Sequence, residues 1–375
     1  MMRKKHIRFL SLLLPAVVFL WTGAVITSCS KDPIREKETN PPEPPVTTSY
    51  ENGIFVINEG NFNWGNASVT FIDPVNDRVE QNIFEEINNR SLGDVASGMK
   101  VFSGHGFIVV NNSNRVEVVA MKDFTSVASI TGFNSPRCIE FIDSTKAYVT
   151  NLIKDISVND LQTLSVKKSI ITPNWTEGMI RYKNMVFFSS IGGYSLPNAQ
   201  RNPQILIVDT DEDIIVDSIK TGKEPLGIVM DRKNKIWVLC TGGYDGFEAP
   251  TLLRIDPDLR IVEKTFVFPN VKDAPSQLCI NSLGDTLYFL KGGVFQMPVT
   301  ADAIPVEPLI QSEGRLFYGL AIQPGSGNIF VSDAVDFVQN GWVYHYRQTD
   351  GALLHTYPAG RIPGSFCFQG SSAAK

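Results

Sequence analysis

One unit of about 45 residues recurs from residue 51 onward in this chain of 375 residues. Each unit opens with a Pro or Gly turn and a short apolar strand. An Asp or Asn turn, a strand rich in aromatic residues and valine, and two further strands follow. The units span 91–131, 133–172, 174–222, 223–268, 272–310 and 313–360, and the second half of 272–310 is degenerate. No long stretch has a helical period of 3.6 residues, so the pattern indicates an all-β chain.

The two ends of the repeat region complete a seventh unit. Residues 53–83 contain three strand-like runs but lack a first one, and residues 361–369 supply a single first strand. A unit divided in this way is what closure of a ring requires, since the last strand pairs with the first ones. The sequence therefore predicts a seven-bladed β-propeller of four-stranded blades, closed by pairing the C-terminal strand with the N-terminal strands.

The N-terminus has the pattern of a secretory signal. Residues 1–8 read MMRKKHIR, and an apolar run follows that ends at Ser28 and Cys29. Cys29 is at the position of the acylated cysteine of a bacterial lipoprotein, although a transmembrane anchor or an ordinary signal with an incidental Cys is the alternative. The predicted organisation is a signal peptide at 1–28, a lipidated Cys and Pro-rich tether at 29–50, a propeller at 51–370 and a tail at 371–375.

Charge and residue types limit the functions of the chain. Removal of residues 1–28 takes away four cationic side chains and leaves 30 basic against 39 acidic residues, a net charge near −9. Such a chain is poorly suited to neutralise phosphates, so we expect no nucleic-acid binding. His105, His345 and His355, interpreted as belonging to different repeats, have no acidic or cysteine partner at a motif spacing. We therefore expect no catalytic residues and no enzyme activity.

Metal and cofactor sites are likewise not expected. The run DTDED at 209–213 imitates the start of a calcium loop but lacks its central Gly and its final Glu, so we interpret Asp209 as a turn residue, like Asp73 and Asp256. The cysteines of the repeat region match no zinc spacing and occur in strand-like runs. This favours buried thiols, with disulfides left open, for Cys138, Cys240, Cys279 and Cys367.

Long loops that carry aromatic residues are the main candidate for a binding site. Four loops between second and third strands, at 59–68, 189–204, 240–251 and 332–342, are longer than turns require. These loops and two blade-to-blade connections hold the candidate ligand-binding residues, which are Phe62, Trp64, Trp175, Tyr194, Tyr244, Phe247, Phe317, Tyr318, Phe337 and Trp342. Rings among Gly and Asn suit a broad ligand with a polar edge, such as a corrinoid, a sugar chain or a peptide. The alternative is that the rings only pack loops onto the propeller.

The repeat resembles that of the YncE-type, or surface-layer, seven-bladed propellers over about residues 51–370. Together with the leader and Ser30-Lys31-Asp32, the chain resembles Bacteroidetes surface propeller lipoproteins, some of which (the BtuG type) capture cobalamin beside a TonB-dependent transporter. No ligand motif of that family transfers residue by residue. The resemblance implies a lipid-anchored protein on the outer membrane, exposed at the cell surface, that binds a nutrient and hands it to an outer-membrane transporter. A structural or adhesive propeller that binds protein or glycan is the alternative, and an enzyme is a third.

Overall fold

The computed structural model describes residues 49–50, 52–153, 155–191, 202–243 and 247–369. These residues form seven antiparallel sheets of four strands each, which confirms the predicted seven-bladed β-propeller. Within the described residues, no helix is both long and apolar enough to cross a lipid bilayer.

Blade 1 combines the two ends of the described chain. It contains β1 (Gly53–Asn58), β2 (Ser68–Asp73), β3 (Arg78–Glu80) and β28 (Pro363–Gln369), in the order β28-β1-β2-β3. The C-terminal strand β28 is thus the innermost strand of blade 1, paired with β1 along its length. The predicted closure of the ring is confirmed.

The other six blades each contain four consecutive strands. In blades 2, 3 and 4 these are β4 (Ala96–Phe102), β5 (His105–Val110), β6 (Arg115–Ala120), β7 (Ser126–Thr131), β8 (Pro136–Phe141), β9 (Lys146–Asn151), β10 (Asp155–Asp160), β11 (Ser165–Ile171), β12 (Trp175–Tyr182), β13 (Met185–Ile191), β14 (Gln204–Asp209) and β15 (Ile214–Lys220). In blades 5, 6 and 7 they are β16 (Pro225–Met230), β17 (Ile236–Cys240), β18 (Thr251–Asp256), β19 (Ile261–Val267), β20 (Ser276–Ile280), β21 (Thr286–Leu290), β22 (Gly293–Pro298), β23 (Ile310–Gln311), β24 (Phe317–Ile322), β25 (Ile329–Asp333), β26 (Asn340–Tyr346) and β27 (Leu353–Arg361).

Apolar residues fill the spaces between neighbouring blades. There are seven such clusters in the described chain, one for each pair of adjacent blades. The second strands are buried along almost their whole length, because both of their faces meet a neighbouring blade. The outer strands instead alternate between exposed and buried residues, as in β19. This division explains why the sequence shows both continuous apolar runs and alternating ones.

Aspartates end several third strands and close the hairpins that follow, as predicted. The Asp73 Oδ1 atom accepts a hydrogen bond of 3.0 Å from the backbone N–H of Val75, and Asp256 Oδ1 accepts one of 2.9 Å from Asp258. Asp209 Oδ1 does the same for Asp211 at 2.8 Å. An Asp side chain that bonds the backbone two residues later stabilises a turn. The acidic run at 209–213 therefore acts as a turn.

The four cysteines of the described chain are free thiols. Cys240 is buried, whereas the thiols on the innermost strands, Cys138, Cys279 and Cys367, are half-buried. Burial raises the pKa of Cys240 and of Cys279 to about 12, and that of Cys367 to about 11. Such thiols are protonated and unreactive at neutral pH.

Two features differ from the sequence expectation. The connection from β3 to β4 contains a short helix, α1 (Ile83–Asn88), which buries Ile83 and Phe84. His345 and His355 lie in the same blade, not in different repeats, because they are directly opposite each other on β26 and β27. Their rings stack with centroids 6.2 Å apart, and His345 also stacks on Phe330 at 4.3 Å.

The buried His345 predicts a dependence of stability on pH. Burial, with a smaller contribution from His355, lowers the pKa of His345 from 6.5 to about 4. The unfolded chain therefore binds a proton between these values that the folded chain does not bind, so the free energy of unfolding decreases as the pH falls from 6.5 towards 4. The pKa difference corresponds to at most about 3 kcal/mol.

Urea denaturation at a series of pH values measures this loss of stability. We expect His345→Phe to reduce it and His355→Gln, at an exposed position, to keep most of it. Equal pH dependence in wild type and His345→Phe would contradict the assignment.

Candidate functional site

The innermost strands of the seven blades surround a central channel. Neighbouring members of this ring contact one another in the order β28, β4, β8, β12, β16, β20 and β24. We call the end at which these strands begin the top face, where the loops between second and third strands also lie. The channel opens there into a cavity of about 440 Å³, the channel mouth, lined by residues from all seven innermost strands.

A β-bulge at the top of every innermost strand determines which side chains enter the channel mouth. In each of the seven strands, the register against the second strand shifts once, close to the first residue. A bulge leaves an extra residue unpaired and changes the direction of its side chain. The residues at or next to the second position of these strands line the cavity, and they are Ser97, Arg137, Glu177, Leu226, Gln277, Tyr318 and Gly364.

Arg137 and Glu177 form an ion pair across the junction of blades 3 and 4. The Nε atom of Arg137 is 2.9 Å from both carboxylate oxygens of Glu177. The Glu177 carboxylate raises the pKa of Arg137 above its usual value, although burial acts in the opposite direction. Lower in the channel, Lys100 pairs in the same way with Glu140 of the neighbouring blade. Burial acts to lower the pKa of Lys100, but the Glu140 carboxylate together with the neighbouring Cys138 and Cys367 raises it overall.

Glu59 reaches the channel mouth from the loop after β1. Its backbone N–H donates to the carbonyl of Ile362 at 2.9 Å, which fixes the loop against the start of β28. Its carboxylate lies against Gly364, where a Cβ atom would be only 2.5 Å from Glu59 Oε1. The same oxygen accepts a hydrogen bond of 3.0 Å from the Tyr318 hydroxyl. Burial raises the pKa of Glu59, and the Tyr318 hydrogen bond partly opposes this.

The opposite wall of the channel mouth is uncharged. Blades 5 and 6 contribute the apolar residues Leu226, Ile228, Leu239 and Leu278 to it, together with the polar residues Thr241, Ser276 and Gln277. Gly227 allows these blades to approach closely, because a Cβ atom there would lie 2.6 Å from Cβ of Leu278. The cavity therefore has a charged side formed by blades 1 to 4 and Tyr318, and an uncharged, largely apolar side formed by blades 5 and 6.

Three of the predicted aromatic residues, Tyr318, Phe337 and Phe62, lie at or beside the region of the top face where blades 7 and 1 meet. Trp64 follows in the same loop as Phe62, between Asn63 and Gly65, which bond Asp94 and Ser91 of the connection to blade 2. Tyr318 lines the channel mouth, and Phe337 packs edge-on against it with ring centroids 5.4 Å apart. Asn61, next to Phe62 in the loop that also carries Trp64, donates from Nδ2 to the Phe337 carbonyl at 2.6 Å. The rings of Phe62 and Trp64 are exposed by 66% and 75%. Phe337 and the loop that carries Phe62 thus lie beside the charged channel mouth.

The loop that holds Phe337 has a strained backbone. Phe337 has φ of +61° and Val335 has φ of +56°, in the left-handed region that a β-branched residue rarely adopts. Such conformations persist only when surrounding contacts enforce them, and they cluster at binding and catalytic sites. The strain is consistent with a loop whose shape serves the ring of Phe337.

The remaining predicted residues are more dispersed. Phe247 is 86% exposed in the loop between β17 and β18 of blade 5, and Trp175 is the first residue of β12. Phe317 begins β24, where it is half-buried and lies 6.4 Å from Tyr344. Trp342 lies inside β26, opposite Asp333, and not in a loop. Tyr194, Tyr244 and the lipidation candidate Cys29 lie outside the described residues.

The charged residues of the channel mouth are absent from the candidate site residues that the sequence predicts. The structure corrects this, since it brings Glu59, Arg137 and Glu177 into one cavity. Arg137 and Glu177 each follow the last regularly paired residue at the top of a first strand, Pro136 and Thr176 respectively. This shared position near the start of a first strand is the feature of the sequence that could have identified Arg137 and Glu177 as channel residues. Among the described residues, no group of three or more His, Cys, Asp or Glu side chains is placed to hold a metal ion.

The fold and site define a seven-bladed β-propeller with a partly charged, open channel mouth. The chain belongs to the family described as a domain of unknown function, DUF5074, whose model matches residues 52–360. No curated protein matches the chain in sequence.

Solved structures with a similar fold include three from bacteria. A quinonprotein alcohol dehydrogenase-like protein of Bacteroides thetaiotaomicron is 15% identical, with a TM-score of 0.67 over 86% of this chain and 79% of its own. The periplasmic gluconolactonase of Pseudomonas aeruginosa is 11% identical, with a TM-score of 0.63 over 85% and 99% of the two chains. AztD of Citrobacter koseri is 11% identical, with a TM-score of 0.53 over 84% and 96%. At these identities the likeness concerns the fold alone.

Proposed function

We propose that this protein is a cell-surface binding protein that captures a nutrient on its top face, with a corrinoid as the first candidate. The observation that carries the proposal is the group of exposed rings beside an open channel mouth. Phe62, Trp64 and Phe337 are loop residues whose rings expose apolar surface to water. Exposed aromatic patches mark contact surfaces, and rings beside polar groups suit a flat ligand with a polar rim.

Binding without covalent chemistry is the mechanism that we propose. Rings from the loops would stack on the face of the ligand, and polar groups of the same loops would bond its edge. Asn61 would act indirectly, since its Nδ2 atom donates to the Phe337 carbonyl and holds the two loops together. Arg137 is engaged with Glu177, and Lys100 with Glu140, in ion pairs, which favours a positioning role over proton transfer for these four residues. An enzyme, or an adhesive propeller that binds protein or glycan, is the competing outcome of the experiment below.

The proposal includes attachment to the outer membrane. Acylation of Cys29 would anchor the mature chain, and the Pro-rich segment that precedes Tyr50 would act as a tether. The tether would end before residue 50, since Tyr50 is buried against Phe71 of blade 1 with ring centroids 4.9 Å apart. The bound nutrient would then pass to a TonB-dependent transporter in the same membrane. Mass spectrometry of the mature protein tests the anchor, which requires a diacylglyceryl group on Cys29, and a different N-terminal residue would reject it.

Calorimetric titration of the purified protein with cobalamin and cobinamide tests the corrinoid proposal. We expect binding, and we expect Trp64→Ala combined with Phe337→Ala to weaken it at least about ten-fold, or about 1.4 kcal/mol. Leu283→Ala is the matched control, because Leu283 is similarly exposed but lies in the turn between β20 and β21, at the end opposite the top face.

Each result of that titration separates the candidates. Absence of heat at about 50 μM protein would reject a corrinoid. Binding that persists unchanged in the Trp64 and Phe337 double variant would reject the aromatic site. Binding to an immobilised glycan by a protein that ignores corrinoids would favour the adhesive alternative.

A further inference from the structure

The charged side of the channel mouth has hydrogen-bonding capacity that its own contacts do not use. Only Nε of Arg137 is bonded to Glu177 within the described chain, so its Nη1 and Nη2 atoms have no partner there. The carboxylate of Glu59 likewise accepts only at Oε1, from the Tyr318 hydroxyl, in the part of the chain that the structure describes. Guanidinium nitrogens can only donate, and carboxylate oxygens can only accept. The cavity thus presents donors and acceptors side by side.

The charges of the channel nearly cancel. Glu59, Glu140 and Glu177 face Lys100 and Arg137, with the opposite charges alternating between neighbouring strands. An anion that approached Arg137 would meet the carboxylates of Glu59 and Glu177 as well. A cation that approached those carboxylates would meet Arg137 and, below it, Lys100. Like charges at close range are unfavourable, so neither kind of ion suits this site.

We propose that the channel mouth is a subsite for an uncharged group that both donates and accepts hydrogen bonds, such as a primary carboxamide or a vicinal diol. Arg137 would donate to its oxygen, and Glu59 and Glu177 would accept from its N–H or O–H groups. The apolar wall of Leu226 and Leu278 would contact the hydrocarbon part of the same group. The inference rests on the proposed binding function and extends it from the rings into the channel.

Small probes test the subsite without knowledge of the whole ligand. The probes are acetamide for the carboxamide, erythritol for the diol, and acetate and methylammonium for the two charges. The readout is the Nε–H signal of Arg137 in nitrogen-15 NMR spectra, and that of Arg181, which bonds backbone carbonyls elsewhere, is the internal control. We expect acetamide or erythritol to shift the Arg137 signal saturably at concentrations up to about 0.5 M. A shift with acetamide indicates that the subsite binds a carboxamide, and a shift with erythritol indicates that it binds a diol.

Two outcomes of the probe experiment would overturn the inference. One is a saturable shift with acetate or methylammonium at concentrations lower than those required for either neutral probe. The other is no specific shift of Arg137 with either neutral probe. Because the probes are not corrinoids, a failed corrinoid titration with successful neutral probes rejects the proposed nutrient and retains the subsite. The reverse result rejects the subsite alone.

A change of charge provides an independent check. Glu177→Gln removes the carboxylate that pairs with Arg137 and leaves only Glu59 to oppose an anion there. We therefore expect the affinity for acetate to rise at least about ten-fold relative to acetamide, which corresponds to about 1.4 kcal/mol. Glu86→Gln, at a position on α1 away from the channel, is the matched control and leaves the preference unchanged. Glu59→Gln serves the same purpose should Glu177→Gln fail to fold. Unchanged preference in a folded variant of either kind would contradict the assignment.

Discussion

Deletion of residues 362–375 is expected to abolish cooperative folding, because it removes the strand that closes the ring. Strand β28 lies between β4 and β24 and pairs with β1, whose residues are buried. Its Phe368 ring also packs against Phe330 of blade 7, with centroids 5.6 Å apart. Without β28, the hydrogen-bonding edge of β1 and the junctions with two blades would be exposed. Such a loss exceeds the stability of about 5–15 kcal/mol that a native domain possesses.

Thermal unfolding monitored by circular dichroism measures this effect. Removal of 370–375 alone is the matched control, since β28 ends at Gln369, and we expect it to leave the midpoint unchanged. We further expect a synthetic peptide of residues 361–369 to restore part of the transition when it is added to the truncated protein. A truncated protein that unfolds at the temperature of the full chain would show that the ring does not depend on β28.

Trp237→Ala is expected to destabilise the fold far more than the loss of an exposed ring from the top face. Trp237 has no exposed surface, stacks near Phe266 with centroids 5.7 Å apart, and donates from Nε1 to Asp231 Oδ2 at 2.9 Å. Truncation of a buried Trp leaves a cavity that costs about 3–5 kcal/mol. It also leaves a buried carboxylate oxygen of Asp231 without that donor, which adds about 1 kcal/mol or more.

Chemical denaturation of Trp237→Ala and of Trp64→Ala makes the comparison. Trp64 is the same residue type on the top face, and at 75% exposure its removal should change the free energy of unfolding by less than about 0.5 kcal/mol. We expect the Trp64 variant to lose ligand affinity instead. Similar stability losses in the two variants would mean that the blade 5 core tolerates a large cavity or that Trp64 contributes to the stability of the fold.

The fold is predictable from the sequence because each blade forms from residues that are close together in the chain. Each unit contains its own strands and turns, and aspartates such as Asp73 and Asp256 form the turns expected of them. Closure follows from two incomplete ends, at 53–83 and 361–369, which together make one blade. The burial of Trp237 and Tyr288 also agrees with their place in second strands, since both are fully buried.

The site is harder to predict because it depends on side-chain direction at irregular positions. A regular strand would alternate its residues between two faces, but the bulge at the start of β8 and β12 breaks that alternation and turns Arg137 and Glu177 into the channel. Glu59 joins them from a loop separated from Tyr318 by most of the chain. Trp342 shows a second limit of sequence-based prediction. Residue composition assigns it to the loop at 332–342, whereas it lies inside strand β26. The assignment of His345 and His355 to different repeats is wrong, because both fall in the unit 313–360 and lie opposite each other on β26 and β27.

The recurring bulge gives this propeller a form of modularity. Each blade places one residue beside its bulge at the channel mouth, and these seven residues are separate from the clusters that hold neighbouring blades together. Under the proposed binding function, substitutions at six of these positions would alter what the cavity recognises while the packing between blades is preserved. Gly364 is the exception, because a Cβ atom there would lie 2.5 Å from Glu59 Oε1. The other six positions are therefore the natural choice for a library that redirects the protein to a new ligand.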